Sequence, residues 1–310
     1  MVFSMNQNEL TILLYHGVTN SLSDGIENFL CKHIPVEHFE KQIRFIKKNC
    51  TILSMDDVVN IRNEDAAWPK NAVAVTFDDG FKNNYTTAAS ILEKYDCSAT
   101  FYICAGMINT NLMFWVDEIE DCINRTSKRE ISILLEKRVT LSLDGYIDKT
   151  LAVGKIKMHC KQADAETKNR VISELISETQ ITPSSEASQN YKMMTWEEVR
   201  KLNSSSLFSF GGHTLYHDIM TAKKIDDLTI DIDATLSLLN YNLKQITTHF
   251  SYPEGQSNHY SDLVISALVD RGVLCCPSAI DGVNVDEDLF NLKRIMPNFM
   301  GREFPYALSF

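Results

Sequence analysis

The stretch A-V-A-V-T-F-D-D-G-F, residues 72–81, decides the fold. Six residues of strand-forming, almost wholly apolar character run straight into Asp78, Asp79 and Gly80. Apolar side chains at successive positions suit a strand covered on both faces, as in a parallel sheet. The two aspartates then fall at the strand's C-terminal end, where α/β folds place ligands and chemistry. Gly80 permits the tight turn that aims neighbouring side chains at one spot. Adjacent carboxylates repel, so the pair makes most sense if a cation takes one and leaves the other as a base. Read alone, such a triplet is more often a polar turn. A second motif decides between the two.

Upstream, residues 10–18, L-T-I-L-L-Y-H-G-V, read as a first buried strand ending at His16. A helix is expected over 35–49, a strand at 51–53, and a helix over 55–62 with Ser54 and Asp57 as its cap. Downstream, a helix over 84–95 and a strand at 99–103 complete a βαβ unit, which makes the sheet parallel. From about 107 to 194 this cadence stops. That span reads as a mostly helical insertion with a hairpin over 135–146 and a helix over 161–179, inside one domain covering 1–310. Regular structure resumes with a helix from Trp196 to Leu202, a strand near 207–210 and a helix over about 225–242. A strand at 248–252, a helix over 260–271 and a strand near 273–275 follow.

The strand at 207–210 runs into G-G-H-T-L-Y-H, residues 211–217. Two histidines four residues apart, His213 and His217, can point their nitrogens at one ion. With a strand-end aspartate they complete a His, His, carboxylate set, a pattern known for hydrolytic Zn2+ with an open position. Ni2+, Co2+ and Fe2+ suit the same donors.

The composition frames the partners. The chain has 310 residues and a formal net charge of −11, which argues against a nucleic-acid or anionic-membrane partner. Eight cysteines without a C-x-x-C pair suit a reducing compartment. The first ten residues lack a basic n-region and the apolar run 11–15 is too short for a signal or span, so a cytoplasmic location without a membrane span is expected.

T-F-D-D-G followed by H-T-L-Y-H resembles the polysaccharide deacetylase family, the NodB-homology carbohydrate esterases. The resemblance implies a distorted (β/α)7-type barrel that removes N- or O-acyl groups from sugars. It implies Asp79, His213 and His217 as metal ligands and Asp78 as general base. The family's third motif commonly reads F-R-P-P-Y-G; here F-S-Y-P-E-G stands at 250–255, with Ser251 in place of the arginine. Tyr252, Pro253 and Glu254 are expected at the substrate, and Arg294 is the candidate substitute for the arginine. The family's L-x-H motif should supply an acid histidine near the C-terminus. No histidine follows His259, yet Leu14-Tyr15-His16 fits it at the other end, as in the permuted exopolysaccharide deacetylases. His16 becomes the expected acid, ahead of His249 and His259. The implied substrate is an N-acetyl or N-formyl amino sugar, nucleotide- or lipid-linked, in surface polysaccharide or O-antigen synthesis. An amidase acting on a non-sugar amide would keep the same metal set, and a lapsed barrel that only binds glycan would not require it.

Overall fold

The structure, a computed structural model, describes residues 8–21 and 24–305. The expected N-terminal reading of residues 1–7 lies outside them. The chain divides into two compact units. The first comprises the residues up to Asn20, Leu30–Thr110 and those from Met193 on; the second comprises Ser21–Phe29 and Asn111–Lys192.

The first unit opens with β1 (Leu10–Tyr15), β2 (Gly17–Thr19), β3 (His33–Pro35), α1 (Val36–Asn49), β4 (Thr51–Leu53), α2 (Met55–Asn63) and β5 (Ala72–Phe77). All six residues of β5 are buried, as the two-sided apolar pattern requires. α2 starts in a capping box: the Ser54 side chain accepts from Asp57 N–H and the Asp57 carboxylate accepts from Ser54 N–H. A π turn at Asn84–Ala88 leads into α3 (Ala89–Lys94), so the expected helix over 84–95 is under-wound in its first half. β6 (Ala99–Ile103) closes the βαβ unit.

The second unit contains α4 (Trp115–Arg125), the antiparallel hairpin β7 (Glu130–Leu134) and β8 (Arg138–Ser142), α5 (Tyr146–Gln162) and α6 (Ala165–Thr179). The hairpin turns at 135–137, so its first strand precedes the expected span. α6 fills most of the helix expected over 161–179, and α5 precedes it where no helix was named. Its core is aliphatic, with Ile119, Ile123, Ile131, Ile133, Val153 and Leu175 among the buried residues.

The first unit resumes with α7 (Trp196–Asn203), β9 (Phe208–Gly212), α8 (Ile225–Leu243) and α9 (Asp262–Val269). β1, β5, β6 and β9 pair in that order, all parallel, and β4 adds to β5 over Thr51–Leu53. The strands expected at 248–252 and 273–275 are reduced to isolated parallel bridges, Gly212↔Phe250 and His249↔Cys275. Pro253 and Pro277, which cannot donate to a ladder, follow each of them closely. A further parallel bridge joins Leu13 of β1 to Ile295. The observed architecture is therefore an α/β fold on a five-stranded parallel sheet with bridged extensions. No helix among the described residues is long and apolar enough to cross a membrane.

Candidate metal centre

The β1–β5 register pairs Tyr15 with Phe77, and Asp78 N–H donates to Tyr15 O at 2.9 Å, one step beyond the strand. His16 and Asp78 thus follow paired residues on adjacent strands. Asp79 then takes φ +77° and Gly80 φ +94°. The left-handed region costs an ordinary residue ~1–2 kcal/mol, so packing must hold Asp79 there. Backbone bonds do so: Cys104 N–H donates to Asp79 O and Met194 N–H to Gly80 O. A Cβ on Gly80 would lie 2.9 Å from Ile108 Cδ1, so a side chain fits neither the angle nor the space.

Directly after β9, His213 N–H donates to Ile103 O at 3.2 Å. The chain leaves the strand in a turn, not a helix, with Thr214 at φ +59° and His217 at φ +63°. This turn brings the two imidazoles to 4.9 Å between centroids, inclined at 69°. Their Nε2 atoms lie 3.6 Å (His213) and 3.5 Å (His217) from Asp79 Oδ1. The three donor atoms of Asp79, His213 and His217 are all within 4.8 Å of one another. His213 Nδ1 sits 2.9 Å from Ser251 O, which fixes the proton on Nδ1 and leaves the Nε2 lone pair facing Asp79. Burial lowers the His213 pKa to about 4, although Asp78 opposes this, so the ring is neutral at neutral pH. A neutral imidazole beside a carboxylate fits a divalent transition ion.

Asp78 is kept out of that set by other partners. Arg294 grips it with two bonds, Nη1 to Oδ1 at 2.8 Å and Nη2 to Oδ2 at 2.7 Å. The guanidinium is itself fixed by Nε donating to Ser278 O (2.6 Å) and by Thr76 Oγ1 (3.3 Å). Ser251 Oγ donates to Asp78 Oδ2 at 3.2 Å and accepts from Arg294 Nη2 at 3.1 Å. All three residues are buried, Arg294 to 1% exposure. Burial pushes the Asp78 pKa up, but Arg294, His213 and His16 outweigh it and hold the value at about 2. Asp78 is ionised and oriented.

His16 is half-buried, and its Nδ1 has no hydrogen-bond partner among the described residues. Burial lowers its pKa to about 3 against the opposing pull of Asp78. The ring is neutral in this arrangement, so a proton it donates must reach it during the reaction. Tyr252, expected at the substrate, is instead a core residue. It is 1% exposed, stacks on Tyr260 at 4.2 Å and donates its hydroxyl to Phe290 O. Pro253 is buried as well, while Glu254 is half-buried with φ +59°. The rival histidines are engaged elsewhere: His249 Nε2 meets Asp56 Oδ1 at 2.7 Å, and His259 Nδ1 accepts from Gln256 N–H. Sequence reading missed the bridging place of Ser251, which it took only as a lost arginine.

The model of the polysaccharide deacetylase family matches residues 65–140 and 154–273, more than half of the chain. YxkH of Bacillus subtilis (strain 168), which carries the family's name, is 27% identical over 101 residues. That match covers 32% of this chain and spans only 33% of YxkH. Among solved structures, the Streptococcus pyogenes deacetylase PplD, in complex with acetate, superposes with a TM-score of 0.60 at 17% identity. It covers 94% of this chain and 93% of its own. IcaB from Ammonifex degensii gives 0.60 at 16% identity, over 94% and 92%. At these identities the likeness is one of fold.

Proposed function

We propose that this chain, which belongs to the polysaccharide deacetylase family, is a metal-dependent hydrolase that removes an N-acyl group from an amino sugar. The observation that carries the reading is the division of labour between neighbouring aspartates. Asp79 converges with His213 and His217, while Asp78 is bound to Arg294. A site that only bound glycan has no use for an ionised carboxylate kept apart from a metal set.

Asp79, His213 and His217 would hold the ion, which would supply Lewis acidity toward an acyl carbonyl and toward water. Asp78 accepts the proton of the attacking water. Arg294 and Ser251 keep its carboxylate aimed, at the expense of basicity. His16 takes up a proton as the reaction proceeds and passes it to the departing nitrogen, since an unprotonated amide nitrogen leaves poorly. We read the first unit as the catalytic domain in permuted order, with His16 on β1 supplying the acid, and the second unit as an insertion within it.

The test measures metal content of the wild type and Asp79→Ala by elemental analysis. Acetate and formate release is assayed on N-acylated amino sugars offered free, nucleotide-linked and lipid-linked. One ion per chain, lost in the variant, with acid released by the wild type only, is the expected result. Metal with no release from any sugar would move the activity to a non-sugar amide. A chain that takes up no divalent ion would overturn the proposal.

A further inference from the structure

Helix α5 is apolar on two opposite faces. Ala152, Val153, Ile156 and Cys160 are buried in the core of the second unit. Ile147, Leu151 and Met158 are 71%, 66% and 64% exposed. At about 100° per residue these three fall within an arc of roughly 40°, opposite the buried four. Lys155 and Lys161, both exposed, flank the arc at roughly 60° on either side. The helix carries four lysines and a single aspartate, so it is basic within a chain of net charge −11. The chain-wide charge that argued against an anionic surface does not hold on this helix.

We propose that this face of α5 docks on an anionic lipid bilayer, with the helix axis lying in the interfacial plane. An aliphatic stripe bordered by long cationic side chains is what such an interface selects. The stripe enters the acyl boundary while the lysine stems follow it and their ammonium groups stay among the lipid phosphates. A second copy of the chain fits poorly, because a two-fold pairing would bring Lys155 and Lys161 against like charges. The stripe also lacks the tryptophan, tyrosine and arginine anchors typical of protein partners.

The test is co-sedimentation of the full chain with phosphatidylglycerol-rich and with pure phosphatidylcholine vesicles. Binding to the anionic vesicles that weakens as salt rises is expected, with far less on phosphatidylcholine. Leu151→Asp, at an exposed position, should fold normally by circular dichroism and bind at least ~10-fold more weakly. Replacing Lys155 and Lys161 by Gln should cost roughly fivefold each. Tyr241→Asp, at an exposed site on α8, should bind as wild type does. Equal binding by Leu151→Asp and wild type, or an equal loss in Tyr241→Asp, would overturn the proposal. So would a concentration-dependent dimer, broken by Leu151→Asp, in protein that ignores both vesicles.

Discussion

Replacing Arg294 with Met removes the guanidinium while keeping most of its bulk, and it strands a charge. Asp78 is 3% exposed and, among the described residues, keeps the Ser251 hydroxyl as its one side-chain donor. In the wild type its pKa is about 2 against an ordinary 3.8, so the ionised form is favoured by roughly 2–3 kcal/mol net of burial. Burial is the largest single influence on this carboxyl and acts upward. Without Arg294 the strongest opposing influence is gone, so the pKa is expected to rise. Breaking one side of a buried pair costs about 3–5 kcal/mol, a large part of the ~5–15 kcal/mol that holds a domain together. The pH dependence follows. In the wild type the paired carboxylate stabilises above its unfolded pKa, and that contribution is lost as pH falls toward 2. In Arg294→Met the charged carboxylate is a penalty at neutral pH that protonation relieves. The gap between the two proteins should be widest near pH 7 and should narrow on acidification. Urea unfolding of chelator-treated protein at several pH values measures it, with Asp78→Asn and the double variant completing the cycle. The double variant should regain much of the loss, because a neutral amide facing Met leaves no stranded charge. A penalty below about 1 kcal/mol that ignores pH, or a double variant no better than Arg294→Met, would refute the pairing as the reason Asp78 is ionised.

Asp78→Asn should keep the metal and lose at least ~10²-fold in turnover, read by elemental analysis beside acid release; full activity would remove Asp78 from the chemistry. His16→Asn should slow hydrolysis of an N-acyl sugar by about 10²-fold or more, yet spare an aryl ester whose leaving group needs no proton; an equal loss on both would point to a structural role. Metal-free protein should lose stability as pH falls from 6.5 toward 4. His213 is held neutral in the fold at a pKa of about 4, so over that window the unfolded chain binds the extra proton. Its limiting slope is about 1.4 kcal/mol per pH unit, and His213→Gln should remove it from the denaturation curves.

The strand-end carboxylates, the H-x-x-x-H turn and the first βαβ unit were legible because each rests on local chemistry: apolar periodicity, a glycine turn, four-residue spacing. What stayed hidden was non-local. Nothing near Ser251 indicates that its hydroxyl stands between a carboxylate 173 residues away and an arginine 43 residues on. Tyr252 looked like a motif residue, but a tyrosine's orientation depends on what waits on each side, here Tyr260 and the Phe290 carbonyl. Helix α5 escaped notice because apolar residues on both faces erase the one-sided periodicity by which a surface helix is read. The strands expected at 248–252 and 273–275 are only isolated bridges, each followed closely by a proline that cannot extend a ladder.

The grip of Arg294 on Asp78 also sets an order of events at birth. The two residues are 216 positions apart. At ~5–20 residues per second, a ribosome needs roughly 10–40 s to deliver the second after the first. Through that interval Asp78, the residue after β5, is an ionised carboxylate whose bidentate partner does not yet exist. The end of the sheet next to Asp78 must therefore stay wet, or in the care of a chaperone, until Arg294 arrives. Once it does, Arg294 and the Leu13↔Ile295 bridge come together on neighbouring residues. A chain that stops short of Arg294 cannot form this pairing, so the buried state of Asp78 is out of reach until residues 216 positions downstream have been made.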